Sequence, residues 1–181
     1  MITASENVLS AMNLKLSDSL IYARPNGGRI KLPSEVIEPI HDYVQNDRRK
    51  PEAGGVMLGR YIIESKDIVI DKISFPMPGD RATRNTFFRK KRAHQQIIDR
   101  EWAASNHTCT YLGEWHTHPE PHPSPSCIDE FNWKRKLKKD IVDSDCLFFL
   151  IVGTSKMRMW EGHRYSRTIS MLKLMRDGGL C

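Results

Sequence analysis

Two histidines stand two residues apart, His116 and His118, within the β-branched and aromatic stretch 108–118, which reads as a strand. Alternate side chains leave one face of a strand, so both imidazoles project together, with Cα atoms about 6.6 Å apart. That is close enough for both to converge on one metal ion. Asp129 lies eleven residues beyond His118, on the first turn of the helix predicted next. Between them, Pro119, Pro121, Pro123 and Pro125 restrict the connecting loop and hold strand end and helix start in a defined relation. Two histidines and one carboxylate leave the fourth position of a zinc ion to water, the arrangement of a catalytic rather than a structural site. Water held in that way has a pKa of about 7, so hydroxide is available at neutral pH.

The same residues admit plainer readings. Ser126 and Asp129 form a Ser-x-x-Asp helix-start signature, a capping box. Glu114 shares the histidine face by strand period and could serve as base, as fourth ligand, or as an outer group that orients a histidine. Glu52, in PEAGGVMLG, reads by itself as a loop carboxylate before a Gly-Gly turn. The combination His-x-His-x7-Ser-x2-Asp is nonetheless demanding, because its spacing is fixed across four positions.

Several elements must position these groups. Residues 33–46 carry Val36, Ile37, Ile40 and Val44 at helical spacing, with Ser34 as a cap and Pro39 interrupting the pattern. Two β-like runs follow at 55–63 and 68–75, separated by a polar turn. Residues 87–102 read as a long amphipathic helix with Ile97, Ile98 and Trp102 on its buried side. A second charged helix is expected over 128–141, with Phe131, Trp133, Leu137 and Ile141 as its apolar positions. The run 146–152 reads as a buried strand, and 157–174 as one or two more. The first 18 residues are weakly patterned, a flexible arm or a short helix. The alternation of strands and helices gives an α/β fold, a single domain over 1–181 with a mixed sheet packed against helices.

Composition narrows the function classes. Of the 181 residues 39% are apolar and 28% charged, which excludes a disordered chain and supplies a real core. The net charge of +6 is only mildly basic. Clusters at Arg89, Lys90, Lys91 and Arg92, and at Lys134, Arg135, Lys136, Lys138 and Lys139, read as solvated helix faces and argue against a nucleic-acid partner. The cysteines at 109, 127, 146 and 181 form no CxxC pair, so no zinc knuckle or thioredoxin-type site is indicated. Cys127 is expected to be a small buried residue, and His122 a solvated loop residue. His41, His94, His107 and His163 have no ligand spacing, and Trp115 and Trp133 are expected in the core or a pocket wall. The N-terminus lacks the basic and apolar regions of a signal peptide, and the longest apolar run, Cys146–Val152, is far too short to span a membrane. A cytoplasmic protein with reduced thiols and no membrane partner is the expectation.

The stretch HTHPEPHPSPSCID, together with the Glu52 segment, resembles the JAMM (MPN+) metallopeptidases over about 100 residues. The resemblance implies the JAB/MPN, cytidine-deaminase-like fold and one zinc ion (Zn2+) per chain. It places the metal ligands at His116, His118 and Asp129, and the oxyanion-steadying serine at Ser126. It also selects Glu52 as the catalytic glutamate, which leaves Glu114 to an outer, orienting role. The GEWHTHPEPHPSPSCID flavour is similar to the JAB peptidases of bacterial CBASS antiphage operons, which free a nucleotidyltransferase (CD-NTase) from whatever its C-terminus is joined to. A deconjugating isopeptidase acting on a flexible protein tail joined to a lysine or other amine is the reading this implies. Alternatives are processing of a ubiquitin-like or sulfur-carrier tail, a nucleic-acid-associated JAB protein, and a non-catalytic MPN interaction module, against which the intact ligand set argues.

Overall fold

A computed structural model describes residues 19–140 and 144–175. The expected N-terminal arm, Ile141 and Cys181 lie outside them. The sequence reading of residues 33–46 meets a compromise at Pro39. A single helical turn α1 (Ser34–Ile37) passes into a 3-10 stretch (Glu38–Tyr43) with Pro39 in its first turn, where the missing N–H costs nothing.

Eight further segments build the main sheet around β3 (Gly54–Tyr61). In chain order they are β1 (Leu20–Ala23), β2 (Arg29–Leu32), β4 (Ile68–Ile73), β7 (Thr110–Thr117), β8 (Cys146–Val152), β9 (Met157–His163), β10 (Ile169–Met171) and β11 (Lys173–Met175). A separate hairpin pairs β5 (Arg81–Thr83) with β6 (Thr86–Phe88). The main sheet runs β10-β9-β8-β7-β3-β4-β2-β1-β11 and is mixed, with β2/β4 and β7/β8 parallel. Its terminal strands β10 and β11 are separated in the chain by Leu172 alone, so one segment pairs with β9 on one side and β1 on the other. The sheet therefore curls until its edges are joined.

Alternation sorts the side chains into two cores. The inner one gathers Tyr22, Ile30, Leu112, Phe148, Leu150 and Met159 around Val36, Ile37 and Ile40 from α1 and the 3-10 turn. The outer one gathers Val56, Leu58, Phe149, Ile151 and Trp160 beneath two helices, α2 (Lys91–Ala104) and α3 (Cys127–Lys139). At one end of the inner core Arg24 and Glu161, with side chains 5% and 0% exposed, form a two-pronged ion pair at 2.9 and 3.0 Å. It links the end of β1 to β9.

The buried strand Cys146–Val152 and a mixed sheet with helices agree with the expectation, and Trp115 and Trp133 are both buried. Three details differ. The expected 87–102 helix starts later, because Phe87 and Phe88 belong to β6 and Asp80 accepts the Lys90 N–H at 2.7 Å, capping α2 from another loop. Trp102 is exposed and stacks on His107, while Ile97 and Ile98 do pack on the core. Phe131 is also exposed, so α3 buries only Trp133 and Leu137. The first hairpin, β1–β2, turns on Pro25, Asn26 and Gly27, with Gly27 at φ 86° supplying the left-handed residue such a turn needs.

Candidate active site

Antiparallel pairing of β3 with β7 places Gly54 opposite His116, so the residue two before Gly54, Glu52, arrives beside the histidines. Parallel pairing with β8 fixes the other side: His116 lies opposite Ile151, and the His118 N–H donates to the Val152 carbonyl at 2.9 Å. A bulge in the β3/β7 ladder falls just before the site, and Gly113 beside it has φ 151°. A Cβ there would stand 1.8 Å from the Phe148 carbonyl oxygen, so only glycine lets β7 change its course and aim Glu114 and His116 outward.

The four expected groups converge. His116 Nε2 and His118 Nε2 are 3.1 Å apart. Asp129 reaches both, Oδ1 to His116 at 3.3 Å and Oδ2 to His118 at 3.4 Å. Glu52 closes the other side, with ligand atoms of Glu52, His116 and His118 all within 4.8 Å of one another. Nitrogen and carboxylate donors aimed at one point are a donor set that fits a zinc-class ion. Burial pushes the Glu52 carboxyl up to about 7, against the pull of the two histidines. Asp129 goes the other way: burial would raise it, but hydrogen bonds from His116 and His118 hold it far below the usual carboxylate range.

Residues that the sequence did not single out hold Glu52 in place. The Thr117 hydroxyl donates to Gln45 Oε1 at 3.0 Å and accepts the Ala53 N–H at 2.9 Å. Gln45, itself buried, donates to the Arg84 carbonyl at 2.8 Å, and the Glu52 N–H donates to the Thr83 carbonyl at 2.7 Å. Thus the β5–β6 hairpin and the strand that carries the histidines are tied to the glutamate from two sides. Nothing in the spacing of Gln45 or Thr117 signals this. It is a product of tertiary register.

Ser126 does what a helix cap does. Its hydroxyl donates to Asp129 Oδ2 at 2.6 Å and accepts the Asp129 N–H at 3.2 Å, while its own N–H donates to the same carboxylate at 2.7 Å. The capping box therefore also orients a candidate metal ligand. Ser126→Ala should lower stability by about 1 kcal/mol, read as a shifted urea midpoint, whereas Ser126→Thr should keep most of it.

Glu114 corrects the expectation. Its carboxylate pairs with Arg89 and with Lys136, the latter at 2.7 Å, and among the described residues these rather than a histidine are its ionic partners. Burial would raise this carboxyl, but Lys136 and Arg89 hold it below its ordinary value. Arg89 and Lys136 are accordingly not solvated helix faces. They stand in a cleft of about 370 Å³ beside the histidines, between the β5–β6 hairpin and α3, and Phe87, Phe88, Ile128 and Asn132 also line it. Cys127 is exposed rather than buried, and His122 is exposed as expected.

A family profile described as prokaryotic homologs of the JAB domain matches residues 33–164. The chain belongs to the prokaryotic JAB family. This JAB domain is 33% identical over 156 residues to a CD-NTase/cGAS isopeptidase of Escherichia coli, an alignment that covers 86% of this chain and 95% of that protein. It is 30% identical over 154 residues to a CD-NTase/cGAS isopeptidase of Vibrio cholerae, covering 85% and 94%. A Desulfitobacterium hafniense protein solved in solution shares the fold at a TM-score of 0.51 and 15% identity, covering 76% of this JAB domain and 85% of its own chain. No helix among the described residues is long and apolar enough to cross a membrane.

Proposed function

We propose that this protein is a zinc-dependent isopeptidase that hydrolyses the amide joining a protein's C-terminal residue to a lysine or other amine, with a CD-NTase as the conjugated protein in a cytoplasmic, bacterial CBASS antiphage setting. The observation that carries the proposal is the convergence of Glu52, His116, His118 and Asp129 beside an open cleft. The likeness to named isopeptidases over most of the chain supports the reaction class and the substrate.

His116, His118 and Asp129 would hold the zinc ion. When bound, zinc supplies Lewis acidity at the scissile carbonyl and makes water a nucleophile at neutral pH. Glu52, whose burial brings its carboxyl close to neutrality, takes the proton from the attacking water and returns it to the leaving amine. Ser126 stands on the cleft wall, where its hydroxyl can turn from Asp129 toward the developing oxyanion. A cleft of about 370 Å³ between hairpin and helix supports an extended tail, rather than a folded surface, as the substrate. With Arg89 and Lys136 engaged by Glu114, the basic clusters contribute less to any nucleic-acid surface than their run in sequence suggests.

The test is cleavage of a CD-NTase fused through its C-terminus to an amine-bearing partner, with the cut located by mass spectrometry. Cleavage after the C-terminal residue, lost on chelation, restored by zinc and absent in His118→Ala, is the expected result. General digestion of casein, or undiminished cleavage by His118→Ala, would overturn it.

A further inference from the structure

At the opposite end of the sheet Cys146, Glu161 and His163 bring a thiol, a carboxylate and an imidazole together. Register does this. Cys146 opens β8 directly opposite His163 at the end of β9, and Glu161, two residues before His163, leaves the same face of that strand. Because Ile151 of β8 lies opposite His116, Cys146 is five strand residues, about 17 Å, from the candidate active site. Reading histidines for nearby partners misses the group, since the thiol comes from a different strand.

Cys146 Sγ lies 3.4 Å from His163 Nδ1 and 3.8 Å from Nε2, and Nε2 lies 3.5 Å from Glu161 Oε1. All three ligand atoms fall within 4.8 Å of one another. A tetrahedral zinc-class ion, with bonds of about 2.3 Å to sulfur and about 2.0–2.1 Å to nitrogen and oxygen, needs ligand edges of roughly 3.6 Å (sulfur to nitrogen) and roughly 3.4 Å (nitrogen to oxygen). These distances lie within a few tenths of an ångström of those edges.

We propose that Cys146, Glu161 and His163 form a second metal site, for a thiophilic divalent ion of the zinc class, separate from the catalytic centre.

The surroundings suit that role. Arg24 bonds both carboxylate oxygens of Glu161 and so fixes its orientation, as outer partners of metal ligands do, while Oε1 keeps a lone pair toward His163. The Glu161 side chain is fully buried, whereas that of His163 is 41% exposed, which opens an entry path and room for a water as fourth ligand. Binding releases the thiol proton to solvent, so that thiolate and carboxylate together set two negative charges against the ion and Arg24. The bound ion would pin β8 to β9 and, through Arg24, to the end of β1.

Cobalt(II) titration of the metal-free full chain tests this, because a sulfur-to-cobalt charge-transfer band in the near ultraviolet reports a thiolate ligand that the nitrogen and oxygen donors of the active site cannot supply. The wild type should take up two cobalt ions and develop the band. Cys146→Ser should take up one and lose the band, and His163→Ala, altered at a half-exposed position, should do the same if the serine variant folds poorly. Cys127→Ser should keep both ions and the band, although Cys127 lies near Asp129. His118→Ala should lose the other ion and keep the band, so failure of the active-site reading is told apart from failure of this one. No band in the wild type, or a band that survives in Cys146→Ser or vanishes in Cys127→Ser, overturns the proposal, whereas a single ion with a Cys146-dependent band overturns the active-site reading instead.

Discussion

Glu52→Gln should lower the rate of tail cleavage by about 10²–10⁴-fold while leaving fold and metal content in place. The substitution keeps the side chain's shape on a backbone held by the Thr83 carbonyl and by the Ala53, Thr117 and Gln45 network, and removes only its capacity to carry a proton. His116, His118 and Asp129 remain to hold the ion. The contrasting variant is Glu114→Gln. Had Glu114 oriented a histidine, added zinc would restore its activity. With Arg89 and Lys136 as its partners, the loss instead leaves two cations facing each other across the cleft. Added zinc should therefore rescue neither variant: Glu52→Gln because its metal is intact, Glu114→Gln because its defect lies in the cleft. A cleavage time course with metal content measured on the same samples decides the matter. An active Glu52→Gln, or a Glu114→Gln restored by zinc, would reverse the assignment.

Arg24→Ala should destabilise the fold by about 3–5 kcal/mol, because it removes the charge partner of a carboxylate whose own side chain is fully buried. Glu161 has a second neighbour in His163, but the two-pronged guanidinium contact carries most of its compensation. Replacing both partners, as in Arg24→Met with Glu161→Leu, should recover much of the loss, since a buried ion pair contributes little over well-packed apolar groups. Urea unfolding of the single and double variants measures both effects. A single variant within about 1 kcal/mol of wild type would mean that water reaches Glu161.

What was legible in the sequence follows from how local each signal is. The histidine pair, the proline loop and the Ser126–Asp129 cap are contiguous, so strand period and cap chemistry alone bring three groups near one point. Glu52 is some sixty residues away and has no local mark. Only the likeness to a known family selected it, and only the β3/β7 register shows why it arrives there. Arg89 and Lys136 were hidden inside runs of like charge, where nothing distinguishes a residue that reaches into a cleft from its solvated neighbours. Gln45 and Thr117 were ordinary polar residues until tertiary pairing buried them. The late start of α2 has a similar cause: its cap comes from Asp80, ten residues before the Lys90 N–H it accepts, and not from a residue at the helix end.

The single segment that spans β10 and β11 has a consequence for biogenesis. It follows every strand it joins in the chain, so during synthesis β9 and β1 each expose a row of unpaired backbone groups until it emerges. Such open edges are templates for pairing with another chain, and late, long-range closure prolongs their exposure. A ribosome stalled short of residue 169 would thus hold a sheet with two adhesive margins, and substitutions that weaken this strap should show first as aggregation during expression rather than as a loss of activity in the purified protein.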